Sequence, residues 1–309
     1  MPTPLLSRRH ALMTAAALPL ATMLPRGASA AAALLGSASA GFNRFRLGAF
    51  EVTTLMAGSR TVEKPHESFG LNVSPEDFAA AATANFIPAD KAQFYFTPTV
   101  VNTGSELVLF DTGLNPEGIT AALAAAGYAP DQVDVVVLTH MHPDHIGGMA
   151  GDGGPTFPNA RIVTGAVEHN FWMGAANEGF DAKVRPLNER ITFVDDAGSV
   201  AGGITAMAAF GHSPGHMGYV VESDGQRVVI TADTANHFVW SLAHPDWEVK
   251  FDMDKPAAAA SRRRVFGMLA ADRVPFIGYH MPFPSLGFVE VLRDGFRYVP
   301  ATYQMALNG

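Results

Sequence analysis

A mixed α/β fold, with two sheets packed face to face and helices on both outer faces, is predicted by three features of this 309-residue chain. Strand-like apolar runs alternate with helix-forming segments along its length. The run VDVVVLT (133–139) is apolar at every position from Val135 to Leu138, as a strand buried on both faces requires. Two stretches also echo each other. VNTGSELVLFDTG (101–113) and VVESDGQRVVITADT (220–234) are each strand, turn, strand and a closing Asp-Thr pair. Two such halves give a four-layer αββα sandwich in a single domain.

The elements follow in order. FRLGAFEVTTLMAG (45–58) reads as a hairpin turning near Gly48-Ala49. Ser74 is an N-cap, followed by Pro75, Glu76 and Asp77, and opens a helix. The segment 97–113 is two strands around a Thr-Gly-Ser turn. Asn115-Pro116 caps a helix ending at Gly127, with Pro130 beyond it. ARIVTG (160–165) and ITAMAAFG (204–211) are strands, and residues 218–234 form a hairpin turning at Asp224-Gly225. PAAAASRRRVFGMLAADR (256–273) is a long helix, followed by the strand PFIGYH (275–280). Arg262, Arg263 and Arg264 are taken as a solvated face of that helix. The polar stretch 174–190 is either a mobile cover for a site or a plain surface loop.

The first thirty residues stand apart. SRRHALMTAAALPLATMLPRGASA (7–30) is basic, then apolar, then small up to Ala28-Ser29-Ala30, the plan of a cleavable export signal. Arg8-Arg9 after Ser7 fits the twin-arginine route, which places the protein in the periplasm or outside the cell. The expected division is therefore a signal over 1–30 and one domain over 31–309. The formal charge is −8, and the signal holds three arginines and no acid, so −11 remains without it. Such an acidic body disfavours a nucleic-acid partner. No other apolar run approaches the ~20 residues that span a bilayer, so no membrane anchor is expected. With no cysteine in the chain, any metal must be held by nitrogen and oxygen.

Chemistry concentrates in LTHMHPDHIGGM (138–149), which places His140, His142, Asp144 and His145 directly after a strand. Burying four such groups without partners is costly. Four ligands within six residues cannot all converge on one ion, but they can be divided between two. Further candidates stand at later strand ends: His212 and His216 in GHSPGH, Asp233 in TADT and His280 in GYHMPFP. Histidines and carboxylates in this number suit two ions such as Zn²⁺.

HMHPDH, followed by GHSPGH, TADT and GYH, resembles the metallo-β-lactamase superfamily and its HxHxDH signature, along almost the whole of the chain after the signal. Within it, VNTGSELVLFDTG, FPNA, EHNFW (168–172), YVVESDGQ, HMPFPSLG and GFRYVPATY are similar to the methyl parathion hydrolase group and its lactonase relatives. The resemblance implies two divalent metal ions, Zn²⁺ being the expected metal, with His140, His142 and His216 on the first. It places Asp144, His145 and His280 on the second, and Asp233 as the bridge. His212 is then a turn or supporting residue, and Asp111 supports the ligand loop. Trp172 contributes either to the pocket wall or to core packing. His169, His237 and His244 lack partners at ligand spacing.

Two cations sharing a water bring its pKa toward neutrality, which supplies hydroxide for attack on a carbonyl or phosphorus. Asp144 holds its metal and passes a proton to the leaving group. LNPEGITAALAAAG, after Asp111-Thr112-Gly113, is shorter than the aromatic-bearing loop of methyl parathion hydrolase. A lactonase acting on aryl or acyl-homoserine lactones is therefore the leading expectation, with an organophosphate triesterase as the alternative. A β-lactamase, an iron-dependent redox member and a non-catalytic metal-stabilised binding protein are more distant. The expected partner is a small lactone or ester, and relatives commonly form homodimers.

Overall fold

The computed structural model describes residues 38–304; the expected signal at 1–30 lies outside the described residues. The chain begins with a hairpin, β1 (Phe42–Leu47) and β2 (Phe50–Leu55), closed tightly by Gly48-Ala49 because Leu47 pairs with Phe50. A second hairpin, β3 (Gly58–Glu63) with β4 (Lys91–Phe96), encloses α1 (Pro75–Ala84). Ser74 caps α1 by accepting the Asp77 N–H. Then come β5 (Thr99–Asn102), β6 (Leu107–Phe110) and α2 (Pro116–Ala125), the last capped by Asn115. β7 (Val135–Val137) leads into the short α3 (Pro143–Ile146) and the small pair β8 (Ala150–Gly151) and β9 (Gly154–Pro155). β10 (Arg161–Gly165), α4 (Ala166–Gly174), α5 (Glu178–Lys183) and β11 (Ile191–Val194) complete this half.

The second half runs β12 (Ser199–Ala201), β13 (Ile204–Ala208), β14 (Met217–Ser223) and β15 (Gln226–Ala232). A π-helical turn (Phe238–Ala243) precedes α6 (Lys255–Asp272). The chain finishes with β16 (Phe276–Gly278), β17 (Leu286–Leu292) and β18 (Gly295–Pro300). Two seven-stranded sheets result, in the orders β1-β2-β5-β6-β7-β10-β11 and β12-β13-β14-β15-β16-β17-β18.

The four layers follow from strand periodicity. Along β6 and β7, Val108, Phe110, Val135 and Val137 face the second sheet, where they meet Tyr219, Val221, Val228, Ile230 and Ile277. Leu107, Leu109 and Val136 face the other way, onto Ile119, Ala122 and Leu123 of α2. On the far face of the second sheet, Val229, Phe276 and Val289 pack on Val265, Phe266 and Leu269 of α6. A fourth cluster joins α1, the β3–β4 hairpin and the π-turn through Phe69, Phe78, Phe94 and Trp240. Among the described residues, no helix is long and apolar enough to cross a membrane.

Two expectations fail here. Arg262 is not solvated: it is 1% exposed, whereas Arg263 and Arg264 face solvent. Successive helix residues point about 100° apart, so three arginines in a row cannot share one face. Nor is 174–190 a mobile cover or a plain loop. It folds as α5 and a 3₁₀ segment (Arg185–Arg190), with Phe180, Val184 and Leu187 buried in the core beside Trp172.

Candidate metal centre

The parallel strands β6, β7 and β10 all end toward one rim of the first sheet. Beyond β7, Thr139 anchors the ligand loop to Asp111. The Thr139 N–H and hydroxyl donate to the two oxygens of that carboxylate at 2.9 and 2.8 Å. His145 Nδ1–H donates to Asp111 Oδ2 at 2.8 Å, which turns His145 Nε2 the other way. His142 stands at the N-cap of α3, with Pro143, Asp144 and His145 in its first turn. The two glycines closing LTHMHPDHIGGM are required by close approach. A Cβ on Gly147 would sit 2.2 Å from the Leu114 carbonyl oxygen, and one on Gly148 2.1 Å from that of Thr112.

The second sheet contributes Asp233, just past β15, and His280, just past β16. The β15–β16 register shifts between Ile230 and Ala232, and Ala232 is left-handed at φ 45°. Such irregularities re-aim side chains at the ends of strands. His280 Nδ1–H donates to the Tyr95 carbonyl at 2.9 Å, which leaves Nε2 facing the carboxylates.

Three sets of ligand atoms converge, each within 4.8 Å: His140, His142 and His212; Asp144, His145 and His280; and His140, His145 and Asp233. Asp233 reaches both outer sets. Its Oδ2 is 3.3 Å from His212 Nε2 and from His280 Nε2, and its Oδ1 is 3.4 Å from His145 Nε2. His140 Nε2, His145 Nε2 and Asp233 Oδ1 are buried with no hydrogen-bond partner. Orphaned polar atoms of this kind cost about 1–3 kcal/mol each, and here all three belong to one convergent set. This donor set fits divalent metal ions.

Of the two histidines in GHSPGH, His212 and not His216 falls in one of these convergent sets. Both nitrogens of His216 are engaged: Nδ1–H donates to the Ala209 carbonyl, and Nε2 accepts the Asp233 N–H, each at 3.1 Å. His216 thus holds the backbone of Asp233. His212 Nδ1–H donates to Asp252 at 2.9 Å, and its Nε2 lies 2.9 Å from His142 Nδ1. Asp252 is held in turn by Arg262 Nη1 at 2.7 Å, and Arg262 Nε donates to the Pro245 carbonyl. The buried arginine fixes a carboxylate that fixes His212, a carboxylate–histidine arrangement that orients ligands.

Glu168, also buried, ties the two histidine loops together. Its Oε1 accepts the Met141 N–H and the Trp172 indole N–H, at 3.0 and 2.6 Å. Its Oε2 accepts the Ser213 hydroxyl and the Gly215 N–H, at 2.7 and 2.8 Å. Trp172 is 7% exposed, packs in the core, and presents its ring edge-on to His142 at 6.0 Å. His169 bonds Asn188 and His244 stacks on Trp247, both away from this set.

The electrostatics divide the centre. Burial pulls His140 well below its ordinary range, and the same cause, with His212 adjacent, takes His142 to about 3. Burial opposes protonation of His280 too, but Asp233 and Asp144 overcome it and raise the group to about 10. His145 is raised likewise by Asp111, Asp233 and Asp144. Burial would raise Asp144, but His145 and His280 bring it down to about 2.

A family model described as the metallo-beta-lactamase superfamily matches residues 97–275. The N-acyl homoserine lactonase AttM of Agrobacterium fabrum is 28% identical over 145 residues, 43% of this chain and 51% of that protein. The N-acyl homoserine lactonase AiiA of Bacillus thuringiensis subsp. kurstaki is 26% identical over 118 residues, 38% of this chain and 44% of that protein. The chain therefore spans about half the length of the curated relatives it matches. Among solved structures, AidC, a dizinc quorum-quenching lactonase in complex with a product, N-hexanoyl-L-homoserine, superposes with a TM-score of 0.77. It is 27% identical and covers 85% of this chain and 98% of its own. The hydrolase AbOPH shares the fold at a TM-score of 0.79 and 23% identity, covering 86% and 99%.

Proposed function

Because this chain belongs to the metallo-β-lactamase superfamily, we propose that it is a dinuclear metal-dependent lactonase acting on aryl or acyl-homoserine lactones. His140, His142 and His212 would hold one divalent ion and Asp144, His145 and His280 the other, with Asp233 shared. Zinc suits this nitrogen and oxygen set. The observation that carries the reading is the convergence of three buried, unpartnered atoms on His140, His145 and Asp233. When bound, such ions polarise an acyl oxygen and bring water's pKa toward neutrality.

The chain's own residues supply the positioning. Asp111, Asp252 and Glu168 fix the ligand loops before substrate arrives. Asp144 is 22% exposed at its side chain, against 5% for Asp233, so it is the carboxylate open to substrate. Its low pKa keeps it ionised and able to take a proton and return it to the departing alkoxide. Lactone over phosphotriester is favoured by the segment 114–127, which is mostly the helix α2 and carries Tyr and Phe nowhere before Tyr128. A tethered leaving group needs no aryl slot there.

The test is a side-by-side assay of metal-replete protein on dihydrocoumarin, an acyl-homoserine lactone, methyl paraoxon, a β-lactam and a thioester. Lactone kcat/KM should exceed that for methyl paraoxon at least about tenfold, or ~1.4 kcal/mol. Faster phosphotriester turnover would move the chain to the organophosphate hydrolases. Metal analysis should find two ions per chain.

A further inference from the structure

Helix α1 stops at a residue ill suited to the place. The Phe86 N–H donates to the Thr83 carbonyl and the Ile87 N–H to the Ala82 carbonyl, each at 3.1 Å. This pair of bonds puts the residue after the cap into the left-handed region, where glycine is usual. Here that residue is Phe86, at φ 57°. Ile87 packs onto the cluster that holds Phe78 and Ala82, whereas Phe86 is 98% exposed. A bulky side chain at positive φ strains the backbone, and this one also leaves a whole aromatic ring in water. Nothing among the described residues offsets either effect. Strain of this kind points to a functional surface.

The surface beside Phe86 is unlike an ordinary solvated face. No residue from Phe78 to Ala89 is charged, although Ala80, Ala84 and Asn85 are exposed. The solvent side of a surface helix normally carries its charges. Those three residues line a cleft of about 940 Å³, and Leu292, at the tip of the β17–β18 hairpin, lines it too. Leu292 is 48% exposed and its neighbour Val291 66%. Trp247 and Phe296 add aromatic surface to the lining. The cleft also carries unlike charges, Asp77 on α1 and Arg293 on the hairpin. Neither forms an ion pair among the described residues, whereas Arg263 is paired with Asp246 and Arg297 with Glu290.

We propose that this face binds a second copy of the chain about a two-fold axis, each protomer seating its Phe86 in the partner's cleft and setting its Asp77 against the partner's Arg293. In a two-fold contact the same patch meets itself, so projection and recess must lie on one face. Phe86 and the cleft do, because Asn85, the next residue, is part of the wall. The charges obey the same rule: an unpaired carboxylate and an unpaired guanidinium on one face each meet their opposite across the axis. A buried aromatic anchor with a charged rim is the usual anatomy of such contacts. The metal ligands take no part, so the contact is independent of the lactonase reading.

Light scattering after size exclusion, on the full chain over a concentration series, should give twice the mass of one chain. Phe86→Gly should weaken dimerisation at least about thirtyfold. The same variant should melt higher than the wild type when both are dilute enough to be monomeric, because glycine suits the left-handed stop. A ring that only supported the fold would move both readings downward. Asp77→Lys and Arg293→Glu should each weaken the dimer when alone. Mixed together they should form a dimer of one chain of each kind, since both ion contacts are then restored. A wild type that stays monomeric at every concentration, a dimer indifferent to Phe86→Gly, or a mixture no tighter than its components would each overturn the proposal. A monomeric wild type that Phe86 carries onto phosphatidylcholine vesicles would overturn it in favour of a lipid surface.

Discussion

Two Asp-Thr pairs close two similar hairpin units, one per sheet, yet their carboxylates do opposite things. Asp111, after β6, receives three donors: the Thr139 N–H, the Thr139 hydroxyl and His145 Nδ1–H. Asp233, after β15, keeps Oδ1 buried without a partner. The backbone differs in step. Asp111 is itself left-handed at φ 59°, whereas in the second pair the left-handed residue is Ala232, one position earlier. Asp tolerates that conformation, but Ala pays about 1–2 kcal/mol for it. The displacement comes with the register shift against β16 and turns the second carboxylate into the rim between the sheets. The same local sequence thus becomes a support where donors saturate it and a candidate ligand where they do not.

The harshest way to break this comparison is to remove the unsaturated carboxylate. Asp233→Ala deletes the carboxylate that reaches both outer ligand sets and would leave two cations to repel each other at ~3.5–4 Å. Metal content should fall to one ion or fewer per chain. kcat/KM should drop at least about a thousandfold, or ~4 kcal/mol. Two tightly held ions with near-normal turnover would refute the bridging role.

Removing the saturated carboxylate should cost less activity and more order. In Asp111→Ala, His145 loses the bond that orients it, and two buried Thr139 donors are stranded at about 1–3 kcal/mol each. Losing such supporting partners typically lowers metal affinity or turnover about 10–100-fold. Thermal melts and metal titration would separate the two effects. An unchanged melting temperature would show that Asp111 is not satisfied as described.

The contrast between the two ligand sets can be sharpened by pH. His280 and His145 are raised because their carboxylate neighbours hold protons on them, His280 to about 10. A cation entering beside Asp144 must displace those protons. Below pH 10, affinity there should weaken as pH falls, by up to about tenfold per unit for each proton displaced. His140 and His142, kept neutral by burial, impose no such competition. On acidification from pH 8 to 6, metal should leave the Asp144 set first. Simultaneous loss of both ions would contradict the division.

Much of this was legible in the chain. The echoing hairpins, the apolar run at Val135–Leu138 and the HMHPDH loop point to the sheets and their rim, because period and spacing are local properties. Choosing between His212 and His216 was not local. Four residues apart in one turn, they are separated by Asp252, forty positions on, and by the Asp233 N–H. The two expectations that fail did have a signal. Ala258, Arg262, Val265, Phe266 and Leu269 share a helix face, which marks Arg262 as inward-facing. Phe180, Val184 and Leu187 have helical spacing too, against a reading of 174–190 as a cover. Glu168 carried no such mark: its four donors come from three separate segments.

The gentlest test trims one donor from Asp111 and leaves the rest. Thr139→Val is close to isosteric and removes only the hydroxyl, which donates to Oδ2 at 2.8 Å and also lies 3.1 Å from His140 Nδ1. The Thr139 backbone N–H and His145 Nδ1–H remain, so the carboxylate keeps two of its three partners. The two lost bonds are worth about 0.5–1.5 kcal/mol net each, and the new methyl group meets a wholly buried site. Stability should therefore fall by about that amount, metal stoichiometry should hold, and kcat/KM should drop less than tenfold. A loss as large as that of Asp111→Ala would mean that orientation of the loop depends on Thr139 rather than on the carboxylate. In that case saturation by donors would not be what separates Asp111 from Asp233, and the left-handed step at Ala232 would have to account for the difference alone.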